Sequence, residues 1–197
     1  MEMNEDMQKE IDKVKRIFAS LPYEGSEEER EECRALLWRH SRDVADLALE
    51  IAGRHPEQKI DMQFLEEAAL LHDIGVAWTD APGIHCHGTE PYIRHGQLGA
   101  EALLKLGLPR HARVAATHTG AGITAEEVVE QHLPLPVADH LPETIEEKLI
   151  CYADKFFSKS HPERRKTMEQ ARRSLSKFGA ETVERFEALA QLFGEVD

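Results

Sequence analysis

No apolar run in this chain approaches the roughly 20 residues needed to span a bilayer, and no stretch alternates apolar and polar residues over a useful length. The first absence excludes a helical membrane anchor, and the second argues against a sheet. Cysteine is scarce: Cys33, Cys86 and Cys151 are scattered, with no C-x-x-C pair. That argues against a structural zinc site and, with no basic-then-apolar leader in Met1-Glu2-Met3-Asn4-Glu5-Asp6, for a reducing, cytoplasmic setting. Net positive charge is also missing. At −13 overall, the chain is poorly suited to a nucleic-acid backbone, so no nucleic-acid or membrane partner is expected.

What remains is a globular composition, 41% hydrophobic and 31% charged over 197 residues, enough for one well-buried domain. The expected domain is all-α, with a core over about 36–160, an N-terminal helix over about 3–20 and a C-terminal helical extension over about 161–194. Ile11, Val14, Ile17 and Phe18 mark the first helix. Ser26-Glu27-Glu28-Glu29 has capping-box spacing and opens the second, which carries His40 on a stripe with Val44, Leu47 and Ile51. Asp61 caps a third that runs through Leu65 and Ala69 into His72-Asp73, with Gly75 supplying the backbone freedom to stop it. Pro142 is expected to begin a long helix carrying Asp154, and Pro162 and Ala180 to open the last two, divided by Gly179.

Between these helices the chain breaks its period twice beside histidines. Residues 76–91 gather Pro82, Gly83, Gly88 and Pro91, a loop that contains His85-Cys86-His87, read as incidental or as a weak extra metal site. His118 precedes Thr119-Gly120-Ala121-Gly122, a turn whose backbone amides are suited to close approach by a ligand. The basic residues are also uneven: Lys155, Lys159, Arg164, Arg165, Lys166, Arg172, Arg173 and Lys177 cluster in one stretch. A solvated helix face is the first reading of that run, and a patch that gathers a small anion is the second.

The anomalies are polar residues on apolar stripes or at glycine-flanked helix ends: His40, His72, Asp73, His95, His118 and Asp154. A buried carboxylate such as Asp154 needs a cation. Four imidazoles and two carboxylates suit Fe, Mn, Co, Ni or Zn, and six ligands suit two metals sharing a carboxylate.

At Leu71-His72-Asp73-Ile74-Gly75 the chain resembles the HD-domain superfamily of metal-dependent phosphohydrolases, HDIG type, whose pattern is H…HD…D on an all-α bundle. The resemblance covers about His40 to Lys159. It implies that His40, His72, Asp73 and Asp154 hold one divalent transition metal ion, and that Asp73 bridges to a second held by His95 and His118. Members that cleave cyclic dinucleotides carry lysine after the HD-I-G core and a later paired histidine, where this chain has Val76 and His118-Thr119. The likeness is closer to small single-domain hydrolases. Implied, therefore, is hydrolysis of a small phosphate ester or anhydride, with a nucleotide as the expected substrate, by a metal-bridged hydroxide. Asp73 is the catalytic centre of that scheme, and Arg94, Lys155, Gly120 and Gly122 are the candidate phosphate contacts. The same ligands also serve HD-type di-iron oxygenases, and a non-catalytic nucleotide sensor is a third possibility.

Overall fold

The structure, a computed structural model, describes residues 5–196, so residues 3 and 4 of the expected first helix lie outside it. Among the described residues the secondary structure is helical apart from one two-stranded ladder and three isolated β-bridges, as expected of an all-α fold. The helices are α1 (Glu5–Ser20), α2 (Glu27–Arg54), α3 (Met62–Leu71), α4 (His95–Lys105), α5 (Pro109–Thr117), α6 (Ala125–Glu130), α7 (Ile145–Asp154), α8 (Met168–Leu175) and α9 (Ala180–Phe193). None is long and apolar enough to cross a membrane.

Local chemistry sets most of the boundaries. Ser26 and Glu29 close a reciprocal capping box on α2, and Thr124 and Glu127 do the same for α6. Asp61 accepts from the Phe64 amide and starts α3. Two expected starts move. Helix α7 begins at Ile145 rather than Pro142, and α8 at Met168 rather than Pro162, because Thr144 and Thr167 take extended backbone and cap the amides of Glu147 and Gln170. In both cases a threonine cap overrides the upstream proline.

Helix α2 packs against α3 and α7, and α4 against α5 and the short 3₁₀ turn Ile74–Trp78. The shared core includes Leu37, Ile51, Leu65, Leu70, Ile74, Leu103, Leu149 and Ile150, all fully buried. Each such side chain contributes about 1.5–3 kcal/mol. Gly75 has a different task from the one its sequence position suggests. Helix α3 has already ended at Leu71, and a Cβ on Gly75 would stand 1.9 Å from the His95 carbonyl oxygen and 2.4 Å from the Gly99 amide nitrogen. Gly75 is therefore a close-approach residue that lets the start of α4, and with it His95, lie against the segment after His72-Asp73.

The expected loop at 76–91 carries β1 (Asp80–Ala81) and β2 (Cys86–His87), paired antiparallel. Here the cysteine reading is corrected. Cys33 on α2 and Cys86 on β2 form a disulfide with Cα atoms 5.7 Å apart, leaving buried Cys151 as the free cysteine. The 53-residue separation concealed the pair in the sequence, and the inference of a reducing compartment from unpaired cysteines loses its premise. Neither His85 nor His87 joins a metal-capable cluster among the described residues; they pair instead with Glu32 (2.9 Å) and Glu29 (3.1 Å) of α2. Closing a loop of that length is worth about 4 kcal/mol in the chain-entropy picture. Reduction should therefore lower the melting temperature by roughly 10 °C. The check is a melting curve with and without reductant, and Cys33→Ala should melt at one temperature in both.

Candidate metal centre

Five segments bring six side chains together. His40 comes from the middle of α2, His72 and Asp73 from the residues after α3, His95 from the first turn of α4, His118 from the residue after α5 and Asp154 from the last turn of α7. All are buried except Asp154, whose side chain is 13% exposed. Two clusters result, in each of which the candidate ligand atoms lie within 4.8 Å of one another: His40, His72, Asp73 and Asp154, and Asp73, His95 and His118.

Asp73 belongs to both clusters, and its two oxygens divide between them. Oδ2 stands 3.0 Å from His40 Nε2 and 3.1 Å from His72 Nε2. Oδ1 stands 3.3 Å from His118 Nε2 and 3.5 Å from His95 Nε2. Across the first cluster Asp154 Oδ1 lies 3.0 Å from His40 Nε2 and 3.5 Å from His72 Nε2.

Three of the imidazoles are aimed by their own backbone. The Nδ1–H groups of His72, His95 and His118 donate to the carbonyls of Ala69 (2.6 Å), Tyr92 (2.7 Å) and Ala115 (2.8 Å), each three residues earlier. This fixes the tautomer and turns Nε2 into the centre, the arrangement by which outer-shell partners orient metal-binding histidines. It also leaves His95 Nε2 and His118 Nε2 facing each other at 3.1 Å as two lone pairs. Meanwhile His72 Nε2 and Asp73 Oδ1 are buried without a hydrogen bond, and Asp73 Oδ2 is met by the Lys159 ammonium. Buried polar atoms are seldom left so, and lone pairs converging on one point call for a cation. The donor set fits a divalent transition metal.

Charge in the metal-free centre is balanced by two lysines. Lys155 Nζ lies 2.6 Å from Asp154 Oδ2 and donates to the His118 carbonyl at 2.9 Å. Lys159 salt-bridges Asp73 Oδ2. Burial pushes both carboxyls up, but Lys159 and His72 beside Asp73, and Lys155 and His40 beside Asp154, hold them well below the usual carboxylate range. Burial lowers His95 to about 3 and lowers His118 as well, so both imidazoles are neutral and ready to ligate. His72 goes the other way. Burial lowers it, but Asp73 and Asp154 outweigh that and raise it to about 9.

A pH dependence follows. Between His72's ordinary value near 6.5 and about 9, a metal ion entering the first cluster must displace one proton from His72. Apparent Mn²⁺ affinity should therefore climb with pH by up to about tenfold per unit and flatten above about 9. Calorimetry at pH 7.5 in buffers of different ionisation enthalpy should report about one proton released per ion. Release of none would mean that His72 is already neutral in the metal-free protein.

The other expected site residues are distributed unevenly. Lys155 is in the centre, held by Asp154 and His118. Arg94 immediately precedes His95, but its guanidinium is taken by Glu90. Gly120 and Gly122 both have positive φ, +61° and +86°. The Gly122 amide already donates to the Thr119 carbonyl, and the Ala121 and Gly122 carbonyls accept from Arg185. Lys159, Tyr92 and Lys166 line the cavity over the centre and were not singled out from the sequence. The available signal was the basic run: its first three lysines all line this cavity.

A family model described as HD domain matches residues 37–158. The chain belongs to the HD-domain family. Its curated relatives include a tRNA (cytidine(56)-2'-O)-methyltransferase of Picrophilus torridus, 40% identical over 124 residues that make up 62% of this chain and 32% of that one. An uncharacterized protein of Methanocaldococcus jannaschii is 38% identical over 125 residues, 62% of this chain and 66% of its own length. A second tRNA (cytidine(56)-2'-O)-methyltransferase, from Thermoplasma volcanium, is 36% identical over 120 residues, 60% of this chain and 31% of that one. The HD chain thus spans about a third of each methyltransferase. No solved structure matches it.

Proposed function

We propose that this HD protein is a phosphohydrolase that cleaves a small phosphate ester or anhydride with two divalent transition metal ions held on either side of Asp73. The observation that supports this reading is the division of the Asp73 carboxylate, with Oδ2 facing His40 and His72 and Oδ1 facing His95 and His118. Asp154 would complete the first position. Metals bound there supply a water nucleophile that ionises near neutral pH and neutralise charge on the phosphoryl oxygens.

The chain's own residues do the rest. Lys155 locks Asp154 and the His118 carbonyl in place, so it positions ligands. Lys159, on the turn after α7, now neutralises Asp73. With a divalent cation held by that carboxylate, the Lys159 ammonium would be free to hold a phosphate oxygen. Lys166 lines the same cavity of about 260 Å³ and adds positive charge there. The methyl transfer in the relatives' names is not carried over, because the chain spans only about a third of each of those proteins.

The test is elemental analysis followed by a panel of phosphate esters and nucleotides with Mn²⁺, Co²⁺, Fe²⁺ and Mg²⁺. Phosphate release that depends on added metal supports the reading. Oxygen consumption coupled to turnover without phosphate release would make this a di-iron oxygenase. Tight nucleotide binding with no turnover under any metal would make it a sensor.

A further inference from the structure

Helix α9 carries a cation on its buried stripe. Thr182, Phe186 and Leu189 recur at helical spacing and are buried, and Arg185 falls among them with a side chain only 22% exposed. The stripe holds α9 on α7, where Phe186 and Phe193 pack beside Tyr152 with ring centroids 5.4 and 5.9 Å away. A charge in that setting needs partners. Arg185 Nη2 lies 2.7 and 2.8 Å from the two Glu127 oxygens and donates to the Gly122 carbonyl at 3.0 Å, while Nε donates to the Ala121 carbonyl at 3.2 Å.

Those two carbonyls belong to the turn that follows His118. Gly120 and Gly122 both take positive φ, a backbone that glycine adopts freely but has no need to keep, so the turn depends on bonds from outside to hold one shape. Inside it the Gly122 amide donates to the Thr119 carbonyl at 3.0 Å. Ala121 and Gly122 are buried, and buried carbonyls require donors. The turn also reaches both histidines of the second cluster. His118 leads into it, and Thr119 Oγ1 stands 3.5 Å from His95 Nε2. Two helices therefore grip this segment: α7, whose last turn brings Lys155 to the His118 carbonyl at 2.9 Å, and α9 through Arg185.

Resting on the reading of Asp73, His95 and His118 as a metal position, we propose that Arg185 is a positioning residue for it. By fixing residues 119–122, Arg185 sets the aim of His118 and the seat of Thr119 against His95. The C-terminal helix lies wholly beyond the residues matched by the HD model, so the metal centre draws on a part of the chain outside that match. The role needs the guanidinium fork, which neutralises Glu127 and spans two carbonyls at once. A lysine would supply the charge without the fork.

Arg185→Lys, Arg185→Ala and Arg172→Ala separate this role from ordinary packing. Arg172 also ties down α9 and the residues after it, through Glu187 (2.6 Å) and Glu195 (3.0 Å), but neither partner is in the turn. Arg185→Lys leaves Glu127 a cation, so it keeps the fold even if Arg185→Ala does not. Stepwise Mn²⁺ affinities are measured by calorimetry on the metal-free proteins, and amide hydrogen exchange at Gly122 and Ile123 by NMR without metal. Loss of an outer-shell partner typically costs 10–100-fold in metal affinity, so both Arg185 variants should weaken the second ion about tenfold and leave the first within about twofold. Exchange at the two amides should quicken about tenfold, as the turn opens more often. Arg172→Ala should lower the melting temperature and leave both affinities and both exchange rates in place. Wild-type exchange and second-ion affinity in Arg185→Lys overturn the proposal, and so does an equal loss of second-ion affinity in Arg172→Ala. Quickened exchange in the Arg185 variants of a protein that binds a single ion would keep the grip on the turn and discard the second metal position.

Discussion

Asp73→Asn is expected to strip both metal positions at once and to lower kcat/KM about a thousandfold. The carboxylate is the element common to the two clusters, and each of its oxygens faces a different pair of imidazoles. The amide keeps the shape but loses the charge, and one of its two ends becomes a donor that repels a cation. A thousandfold corresponds to about 4 kcal/mol of lost barrier reduction, within the several kcal/mol that metal ions supply in such sites. Metal content by elemental analysis, turnover and the metal-dependent rise in melting temperature should fall together, because an ion that binds only the folded state stabilises it. A variant that kept full metal content with wild-type turnover would remove Asp73 from the centre.

The second large effect is selective. His95→Ala or His118→Ala should leave about one metal ion per chain where wild type is expected to hold two, and turnover should fall roughly a hundredfold. Both imidazoles are neutral, both are aimed by a backbone carbonyl three residues earlier, and their Nε2 atoms meet at 3.1 Å with no proton to share. Neither is among the four ligands of the first cluster, so His40, His72, Asp73 and Asp154 should retain their ion. The comparison is metal stoichiometry alongside turnover in wild type and both variants. One ion in fully loaded wild type, unchanged in the variants, would describe a mononuclear centre.

Much of this centre was legible in the chain itself. His40, His72 and Asp154 fall on apolar helical stripes where a polar side chain is costly, and a period of 3.6 residues is enough to show that they point inward. Helix starts at Ser26, Asp61 and Thr124 were likewise readable, because a cap is a local hydrogen bond between residues two or three apart. The all-α class followed from the same periodicity.

What only the tertiary structure decided involves distance across the fold. The Cys33–Cys86 disulfide, the bracketing of Cys86 by His85–Glu32 and His87–Glu29, and the seating of Lys159 on Asp73 all join residues far apart in the chain. No local pattern encodes them. Gly75 is the clearest case. As sequence it is a helix stop, but in the fold its missing Cβ is the space occupied by the His95 carbonyl. Composition and spacing determined which residues had to be buried and which of them needed a cation; the packing of α4 and α5 against the segment after α3 decided that the two oxygens of Asp73 would face different pairs of histidines, because that depends on how closely the backbones approach.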